Sequence, residues 1–291
     1  MTTEFAGHRQ AKSVRVRRFA SYAILALFAI IFIGPFLITV ATSFKTDADA
    51  IAEPLRLIPD PFTLLAWKQL FGVEDINVEL DLVRWITNSV VVTVCITIGR
   101  VGLASMAGYA LARLDFPGRR TIFALILAVM MVPGVVLLIP RFLVLKELHL
   151  RNSYPGMILP LMVDLAAIYL MKQNFEQIPR SVEEAAAIDG ANVLRTWRYV
   201  VLPMARPALI AITILSVQSA WNEFTMFLVA TDDPKYKTLT LGLAQIQGGL
   251  GSGKRYPLFM AAAIVVTLPM ILVFFAFQRY FTGDVNKGVD K

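Results

Sequence analysis

Six long apolar segments, separated by polar segments, recur along this chain. Each approaches or exceeds the roughly 20 residues that an α-helix needs to cross a hydrocarbon core of about 30 Å. The predicted spans cover residues 19–44, 86–112, 121–145, 154–171, 208–230 and 257–281. This pattern predicts an all-α polytopic membrane protein with six transmembrane helices. The first segment is too long for the apolar part of a signal peptide, and we expect it to be a retained anchor.

The composition agrees with a membrane protein, because 57% of the 291 residues are hydrophobic, 17% are charged, and the mean hydropathy is +0.63. Soluble domains are less apolar and more charged than this. We predict one six-span permease domain over residues 19–281, between polar tails at 1–18 and 282–291. The segment after the first span is expected to hold a short amphipathic helix near residues 64–71.

The basic residues suggest how the chain is oriented, since Lys and Arg beside a span favour the cytoplasmic side. The N-terminal tail carries one acid, Glu4, against five bases: Arg9, Lys12, Arg15, Arg17 and Arg18. An even number of spans places both termini on one side. We therefore predict a multi-pass protein of a bacterial or archaeal cytoplasmic membrane with both termini in the cytoplasm. The net charge of +7 is then mainly a topology signal, and a basic, aromatic module typical of nucleic-acid binding is missing from the sequence.

Few residues offer catalytic or metal-binding chemistry. The one cysteine, Cys95, lies within a predicted span, and the two histidines, His8 and His149, lie in different polar segments. Residues 248–254, GGLGSGK, match the spacing of a phosphate-binding loop, but a strand does not precede them and Arg255 follows in place of Ser or Thr. We expect no metal site, no cofactor bound by this chain and no enzymatic activity.

The polar segment 181–207, SVEEAAAIDGANVLRTWRYVVLPMARP, follows the fourth predicted span. Ser181 and Glu184 have the spacing of a capping box, which predicts that a helix begins there. Gly190 is expected to end this helix, Asn192 to cap a second helix over 193–201, and Pro203 to end that one. A helix-turn-helix at the membrane surface, with small alanines and a charged start, suits a groove on another protein.

EAAAIDGA followed by LPMARP resembles the EAA loop of the inner-membrane subunits of ATP-binding-cassette importers. The positions that match this motif are Glu184, Ala185, Ala186, Asp189, Gly190, Leu202 and Pro203. Elsewhere, Asn88-Ser89, GYALARLDFPG, NSYPGMILP, WNEF and MAA resemble the carbohydrate-uptake permeases of the maltose-system, MalG-like type. The chain departs from that family's pattern in its tail, GDVNKGVDK, and at Arg100.

This resemblance implies a type I importer permease fold with a cytoplasmic coupling loop over residues 172–207. It also implies a MalF-like second permease, two ATPase subunits that use ATP and magnesium, and an extracytoplasmic solute-binding protein, all in contact with membrane lipid. The motif residues, together with Glu183, would dock on the ATPase. Movement of the docked loop would then rotate the fourth and fifth spans.

Polar residues within the spans are the candidates for the solute pathway. Arg100 and Asp164 lie near the middle of the second and fourth spans, so they are expected at a similar depth. Either they form a structural ion pair or they line the pathway. Trp221, Asn222 and Glu223 combine an aromatic ring with hydrogen-bonding groups, which suits a sugar, although Trp221 could equally pack between helices.

Three classes of function remain to be compared. A secondary transporter would need inverted repeats and its own ion site, and a membrane enzyme would need a cluster of catalytic groups. The importer permease is favoured over both. Its solute is expected to be a sugar or a related compound; the alternative is glycerol 3-phosphate or a glycerophosphodiester, for which Arg100 would supply a positive charge.

Overall fold

The protein is described by a computed structural model that covers residues 3–74, 80–248 and 255–282. Residues 249–254 of the GGLGSGK segment and residues 283–291 of the C-terminal tail lie outside the described residues. Every regular element in the described ranges is helical. The α-helices are α1 (Thr3–Thr42), α2 (Asp47–Ala52), α3 (Leu65–Leu70), α4 (Leu82–Arg113), α5 (Arg119–Met130), α6 (Leu138–Glu147), α7 (Tyr154–Ile158), α8 (Leu165–Glu176), α9 (Arg180–Ile188), α10 (Val193–Arg195), α11 (Leu202–Met204), α12 (Arg206–Trp221), α13 (Thr225–Ala230), α14 (Leu239–Gln247) and α15 (Tyr256–Thr282).

Three continuous helices of the described chain are long and apolar enough to cross a bilayer: Arg18–Thr42, Leu82–Arg113 and Tyr256–Gln278. Three further helix pairs meet the same test when each bent pair is taken as one span. These pairs are Arg119–Met130 with Gly134–Glu147, Tyr154–Leu161 with Leu165–Glu176, and Val193–Met204 with Arg206–Trp221, and they bend by 95°, 43° and 82°. The described residues therefore contain three to six candidate spans.

The third, fourth and fifth apolar segments are interrupted helices, a feature that the sequence analysis did not predict. The third breaks after Met130, where Pro133 cannot donate a backbone hydrogen bond. The fourth breaks at residues 162–164, and Asp164 caps the new helix by accepting hydrogen bonds from the N–H groups of Ala166 and Ala167 at 2.9 and 3.1 Å. In the fifth, α12 ends at Trp221 and α13 begins only at Thr225.

The chain forms two compact units, the first of which comprises Met1–Leu80 and Ile246–Val265. The apolar side chains of α1 are exposed from Phe19 to Ile33, as expected for a surface that contacts lipid, whereas the end of its candidate span is partly buried and Ala41 is buried. After α1, the ammonium group of Lys45 is buried and donates to the Glu53 carbonyl at 2.6 Å. The predicted short helix near residues 64–71 is present as α3, whose Trp67 stacks on Phe44.

The second unit comprises Asp81–Gln245 and Val266–Lys291. Its centre is α4, which packs against both α8 and α12. The buried face of α4 carries small and polar residues, including Asn88, Thr97 and Ser105, as is common where helices pack within a membrane. At Gly108, an added Cβ would lie 2.7 Å from the Met171 Cβ and 2.9 Å from the Lys172 backbone nitrogen. The absence of a side chain at Gly108 thus sets the spacing between α4 and α8.

Candidate functional site

The helix-turn-helix that the sequence predicts after the fourth apolar segment is present over residues 180–204. Its first helix, α9, begins at Arg180, with Pro179 in the N-cap position and no side-chain cap. The predicted capping box is therefore wrong. Because the helix begins before Ser181, Glu184 lies in the second turn, too far along α9 to reach back to the first N–H groups.

The turn between the two helices follows the prediction closely. Gly190 has a φ of +79°, in the left-handed region that glycine occupies without strain. The Ala191 N–H donates to the Ala186 carbonyl at 2.9 Å and the Gly190 N–H to the Ala187 carbonyl at 3.0 Å. These are the two hydrogen bonds of a Schellman motif. Asn192 then caps the second helix by accepting from the Arg195 N–H at 2.9 Å.

The second helix continues past the point where Pro203 was expected to end it. Residues Thr196–Val201 form a π-helical turn, and α11 (Leu202–Met204) follows directly, with Pro203 in its first turn. Proline has no N–H to donate, and Pro203 comes just after the π-helical turn, which interrupts the regular pattern of helix hydrogen bonds. The chain instead bends at Ala205, where α12 departs at 82°.

One side of the helix-turn-helix is exposed. Glu184, Ala185, Asp189 and Gly190 all lie on this side, whereas Ala186 is buried. Large apolar side chains accompany them, since Ile188 is 86% exposed and Tyr199 is 71% exposed. We call this exposed side the docking face; it consists of Glu184, Ala185, Ile188, Asp189, Gly190, Val193, Leu194 and Tyr199. An exposed mixture of charged and large apolar groups at this density is typical of a surface that another protein covers.

The Glu183 side chain points into the protein, away from the docking face. Its carboxylate lies 2.9 Å from Arg113 Nε, and the Tyr109 hydroxyl donates to it at 3.2 Å. The side chains of Arg113 and Glu183 are only 5% and 18% exposed. Glu183 therefore joins α9 to the end of α4. The docking-face acid nearest the start of α9 is Glu184.

Arg113 also closes the end of α8. Its Nη2 donates to the carbonyl of Phe175, in the last turn of that helix, and to the carbonyl of Ile178, which follows the end of the helix. A cation at this position also interacts favourably with the helix dipole. The Tyr109 ring packs edge-on against Phe175, with 5.8 Å between centroids. The ends of α4, α8 and α9 thus meet at one buried polar centre.

Arg100 and Asp164 are close together, in agreement with the similar membrane depth expected from their positions near the middle of two spans. Arg100 Nη1 lies 3.9 Å from Asp164 Oδ2, and Arg100 Nε donates to the Leu161 carbonyl at 2.6 Å. The Arg100 side chain is 7% exposed, and its Nη1 has no hydrogen-bond partner among the described residues. The pair is thus in electrostatic contact but does not form a direct hydrogen bond.

A cavity of about 370 Å³ lies beside this pair. Its lining includes Arg100, Arg141 and Asp164, together with apolar residues at the breaks in the third and fourth apolar segments, such as Gly134 and Val163. The start of α8 also borders the cavity through Leu165 and Ala166. Broken helices with free backbone groups commonly form solute sites in transporters.

Trp221, Asn222 and Glu223 do not form a single polar platform. Trp221 is 6% exposed and donates its Nε1–H to the Val266 carbonyl at 3.0 Å, so it packs between α12 and α15. Asn222 folds back to the Gln218 carbonyl. Glu223 accepts from the Met226 N–H at 2.8 Å.

Sequence reasoning did not single out several residues that organise this unit. Tyr109 and Arg113 belong to the recognised GYALAR segment, and their four-residue spacing places both on one helix face. Asn152 has a φ of +54°, and its side-chain oxygen accepts from the Asp232 N–H at 2.9 Å. Asn88 donates to the carbonyls of Lys235 and Lys237 at 2.9 and 2.7 Å. The two asparagines hold the 231–240 segment against the helices.

Comparison with protein families places most of the chain in one of them. Residues 101–287 match the family described as the binding-protein-dependent transport system inner membrane component. A diacetylchitobiose uptake system permease protein, NgcG, from Streptomyces coelicolor is 33% identical over 94% of this chain and 89% of its own length. The polygalacturonan/rhamnogalacturonan transport system permease protein YtcP of Bacillus subtilis is 34% identical over 92% of this chain and 95% of its own.

A third relative, the sn-glycerol-3-phosphate transport system permease protein UgpE of Brucella abortus, is 30% identical over 91% of this chain and 95% of its own length. Among solved structures, a bacterial ABC transporter involved in the import of the acidic polysaccharide alginate has a chain that superposes with a TM-score of 0.79. That match covers 93% of this chain and 98% of the other at 24% identity, and so shows a common fold.

Proposed function

The chain belongs to the family of binding-protein-dependent transport system inner membrane components, and we propose that its docking face is where the transporter's ATPase subunits bind. The observation that carries this proposal is the division of roles between two adjacent acids. Glu183 is held inside the protein, while Glu184 remains exposed among Ile188, Asp189 and Tyr199 on a helix with a rigid turn. Ala185, Ala186, Leu202 and Pro203 complete the matched motif.

As a permease subunit of an ABC importer, the chain would form half of the solute route beside a second, MalF-like permease. Two ATPase subunits would hydrolyse ATP with magnesium, and a solute-binding protein would deliver the solute from outside. The chain itself would catalyse no reaction. The permease identity of the relatives and the exposed docking face support this division of labour.

We further propose six spans in a bacterial or archaeal inner membrane, in which the bent pairs that begin at Arg119 and at Tyr154 each cross once and α12 with α13 forms the fifth crossing. The tails, residues 1–18 and 282–291, and the loop 172–207 would then lie in the cytoplasm, with the permease domain over 19–281 between the tails. The basic N-terminal tail and the exposed docking face both favour this orientation.

The solute route would pass the cavity that Arg100, Arg141 and Asp164 line. Arg100 has an unpaired N–H group there, and Asp164 has one carboxylate oxygen that is not engaged in capping α8. Such groups can exchange hydrogen bonds with the hydroxyls of a passing sugar. Trp221 packs between helices and would not contact the solute. Asn222 and Glu223 would stabilise the end of α12.

The solute is proposed to be a sugar, because the relatives include permeases for diacetylchitobiose and for polygalacturonan or rhamnogalacturonan. Glycerol 3-phosphate is the second candidate, since UgpE is similar to this chain over most of its length. The buried guanidinium of Arg100 beside the cavity favours this alternative, because arginine binds phosphate well.

Copurification tests the docking face directly. The chain with Glu184→Lys would be expressed with its partner permease and ATPase subunits, and association would be measured by affinity purification. We expect at least roughly tenfold less ATPase subunit per permease, as for loss of an interface anchor. Asp115→Lys is the matched control, because this carboxylate is also well exposed but lies outside the docking face. Equal association of the Glu184 variant and the wild type would refute the proposal.

The solute is tested by ATPase stimulation in proteoliposomes that contain the complete transporter and its binding protein. Diacetylchitobiose, a galacturonate oligomer and glycerol 3-phosphate would be compared at equal concentration. Stimulation by either saccharide supports the sugar proposal, whereas stimulation by glycerol 3-phosphate alone selects the alternative.

A further inference from the structure

The first three residues of the docking face, Glu184, Ala185 and Ile188, lie on α9, and α9 is held to the helix bundle in more than one way. The backbone connects it to α8 through residues 177–179, and it packs against the π-helical turn that precedes α11. The third connection is the buried polar centre of Tyr109, Arg113 and Glu183, which we call the joint. The joint connects α9 to α4, a helix distant from it along the chain.

Each side chain of the joint connects at least two helices. Glu183 receives the Arg113 guanidinium on one carboxylate oxygen and the Tyr109 hydroxyl on the other. Arg113 holds the end of α8 with Nη2 while its Nε faces Glu183. Neither Arg113 Nε nor Glu183 Oε1 has an aligned hydrogen bond within the described chain, although they lie 2.9 Å apart, so their contact is electrostatic.

The same helix α4 carries Arg100, 13 residues before Arg113 and on the continuous Leu82–Arg113 helix. At 1.5 Å per residue, the two arginines are about 20 Å apart along the helix axis. Arg100 faces Asp164 and the cavity, while Arg113 faces Glu183 and the start of α9. One rigid element therefore runs from the joint to the cavity.

We infer that the joint transmits the movement of α9 to α4, so that the second apolar helix moves with the docking face although it is not adjacent to α9 in sequence. In this arrangement Tyr109, Arg113 and Glu183 are positioning residues, and α4 brings the change to the Arg100–Asp164 pair. The inference rests on the proposed docking function and adds α4 to the helices that the ATPase moves. The physical basis is a rigid helix with a specific contact at each end.

Transport and ATPase activity of the complete, reconstituted transporter distinguish the joint from the docking face. Glu183→Gln preserves the side-chain shape and removes the charge that attracts Arg113. We expect normal copurification of the ATPase subunits, ATPase activity within about twofold of wild type, and at least roughly tenfold less uptake, because hydrolysis continues without moving α4. Tyr109→Phe removes one hydrogen bond and is expected to lower uptake about threefold. Glu183→Asp, which retains the charge, should recover part of the uptake.

Two controls separate the outcomes. Glu176→Gln removes an ion pair of similar type, to Lys172, that lies within α8 and joins no second helix, so uptake should remain near wild type. Loss of copurification in the Glu184 variant, as described above, tests the docking function alone. Wild-type uptake in Glu183→Gln with the ATPase subunits bound would overturn the joint and leave the docking function standing.

Distances between spin labels provide a second test that depends on movement and not on activity. Labels at Leu103 on α4 and Ser181 on α9, both exposed and both outside the docking face, would be placed in a chain with Cys95→Ser. In the wild-type background we expect the same Leu103–Ser181 distance with and without ATP. In Glu183→Gln we expect this distance to shift on ATP binding, while a Leu170–Ser181 control pair, which reports α8 against α9, stays constant. An unchanged Leu103–Ser181 distance in the variant overturns the inference even if the variant transports poorly.

Discussion

At the scale of single residues, Gly190 has the most constrained backbone of the docking segment. Its φ of +79° is unfavourable for any residue with a Cβ, and no atom of the described chain lies within 4 Å of the position a Cβ would take. Gly190→Val therefore tests the backbone conformation of the turn, with Gly190→Asn as the control for added side-chain bulk on the docking face. We expect about 2 kcal/mol of strain in the turn and loss of uptake, while the chain remains in the membrane at normal levels on immunoblots of membrane fractions.

Gly190→Asn is the matched control for that substitution. Asparagine tolerates the left-handed region better than other residues with a side chain. Uptake by the Asn variant should lie well above uptake by the Val variant. Equal loss in both would mean that a larger side chain blocks the docking face, and the turn conformation would not be the cause.

The residues of this turn show why some local features were predictable from sequence and others were not. Gly190 and Asn192 act through backbone bonds to residues within five positions, so their roles follow from the local sequence. The opposite directions of Glu183 and Glu184 depend on the residue at which α9 begins and on where Arg113 lies. Both depend on how α4 packs against α8, and the spacing of residues along a single helix does not reveal that packing.

At the scale of helices, Gly108 determines how closely α4 and α8 approach. A Cβ there would contact the backbone of Met171 and Lys172 at 2.9–3.1 Å and the Met171 Cβ at 2.7 Å. These atoms cannot move without separating the helices. We expect Gly108→Ala to destabilise the protein by about 1 to 3 kcal/mol, as other overpacked cores are destabilised. The measurement is the Tm of the purified chain in detergent.

Gly102 provides a control on the same helix, because a Cβ added there would meet no described atom within 4 Å. Gly102→Ala removes the same backbone freedom as Gly108→Ala without meeting a neighbour. Its Tm should equal or exceed that of the wild type. A similar fall in Tm for both variants would show that close packing against α8 is not what requires Gly108.

The 231–240 segment has a contact whose strength should depend on pH. Hydrogen bonds from Asn152, followed by those from Arg151, lower the pKa of Asp232 below its ordinary value of 3.8. A lowered pKa means that the ionised carboxylate stabilises the folded protein above pH 3.8 and that this contribution disappears as the pH falls through the lowered value. The Tm difference between wild type and Asp232→Asn should therefore be present at neutral pH and vanish below pH 3.8. A difference that is constant with pH would contradict this assignment.

Five of the six predicted segments agree with candidate spans of the structure to within about five residues, whereas the fifth candidate span, Val193–Trp221, begins well before the predicted 208–230. The breaks in three of the segments were not predictable. Hydropathy reports the length of an apolar run and is insensitive to backbone direction. Pro133 could have indicated the 95° bend, since proline cannot continue the hydrogen bonds of a helix. The break at residues 162–164 depends on Asp164 capping α8 and on Arg100 binding the Leu161 carbonyl, which is a contact across 61 residues of sequence.

At the scale of the whole molecule, the bent pairs decide the topology. If the N-terminus is cytoplasmic and the bent pairs that begin at Arg119 and at Tyr154 each cross the membrane once, the polar segments alternate sides: Asp60 lies outside, Asp115 inside, His149 outside and Ile188 inside. If the pair Arg119–Met130 and Gly134–Glu147, with its 95° bend, entered and left on one side, Asp115 and His149 would share a side. The proposed six-span topology with a cytoplasmic N-terminus places the docking face on the side of the proposed ATPase partner.

Labelling single cysteines with a membrane-impermeant maleimide distinguishes these topologies. Each of the four exposed positions would be changed to Cys in a chain with Cys95→Ser, and intact spheroplasts would be compared with permeabilised ones. We expect Asp60→Cys and His149→Cys to react in intact cells, and Asp115→Cys and Ile188→Cys to react only after permeabilisation. Labelling of Ile188→Cys from outside would place the docking face away from ATP and would exclude its proposed role. Labelling of Asp115→Cys and His149→Cys from the same side would instead mean that the third apolar segment is re-entrant, because a helix pair bent by 95° can return to the face it entered from.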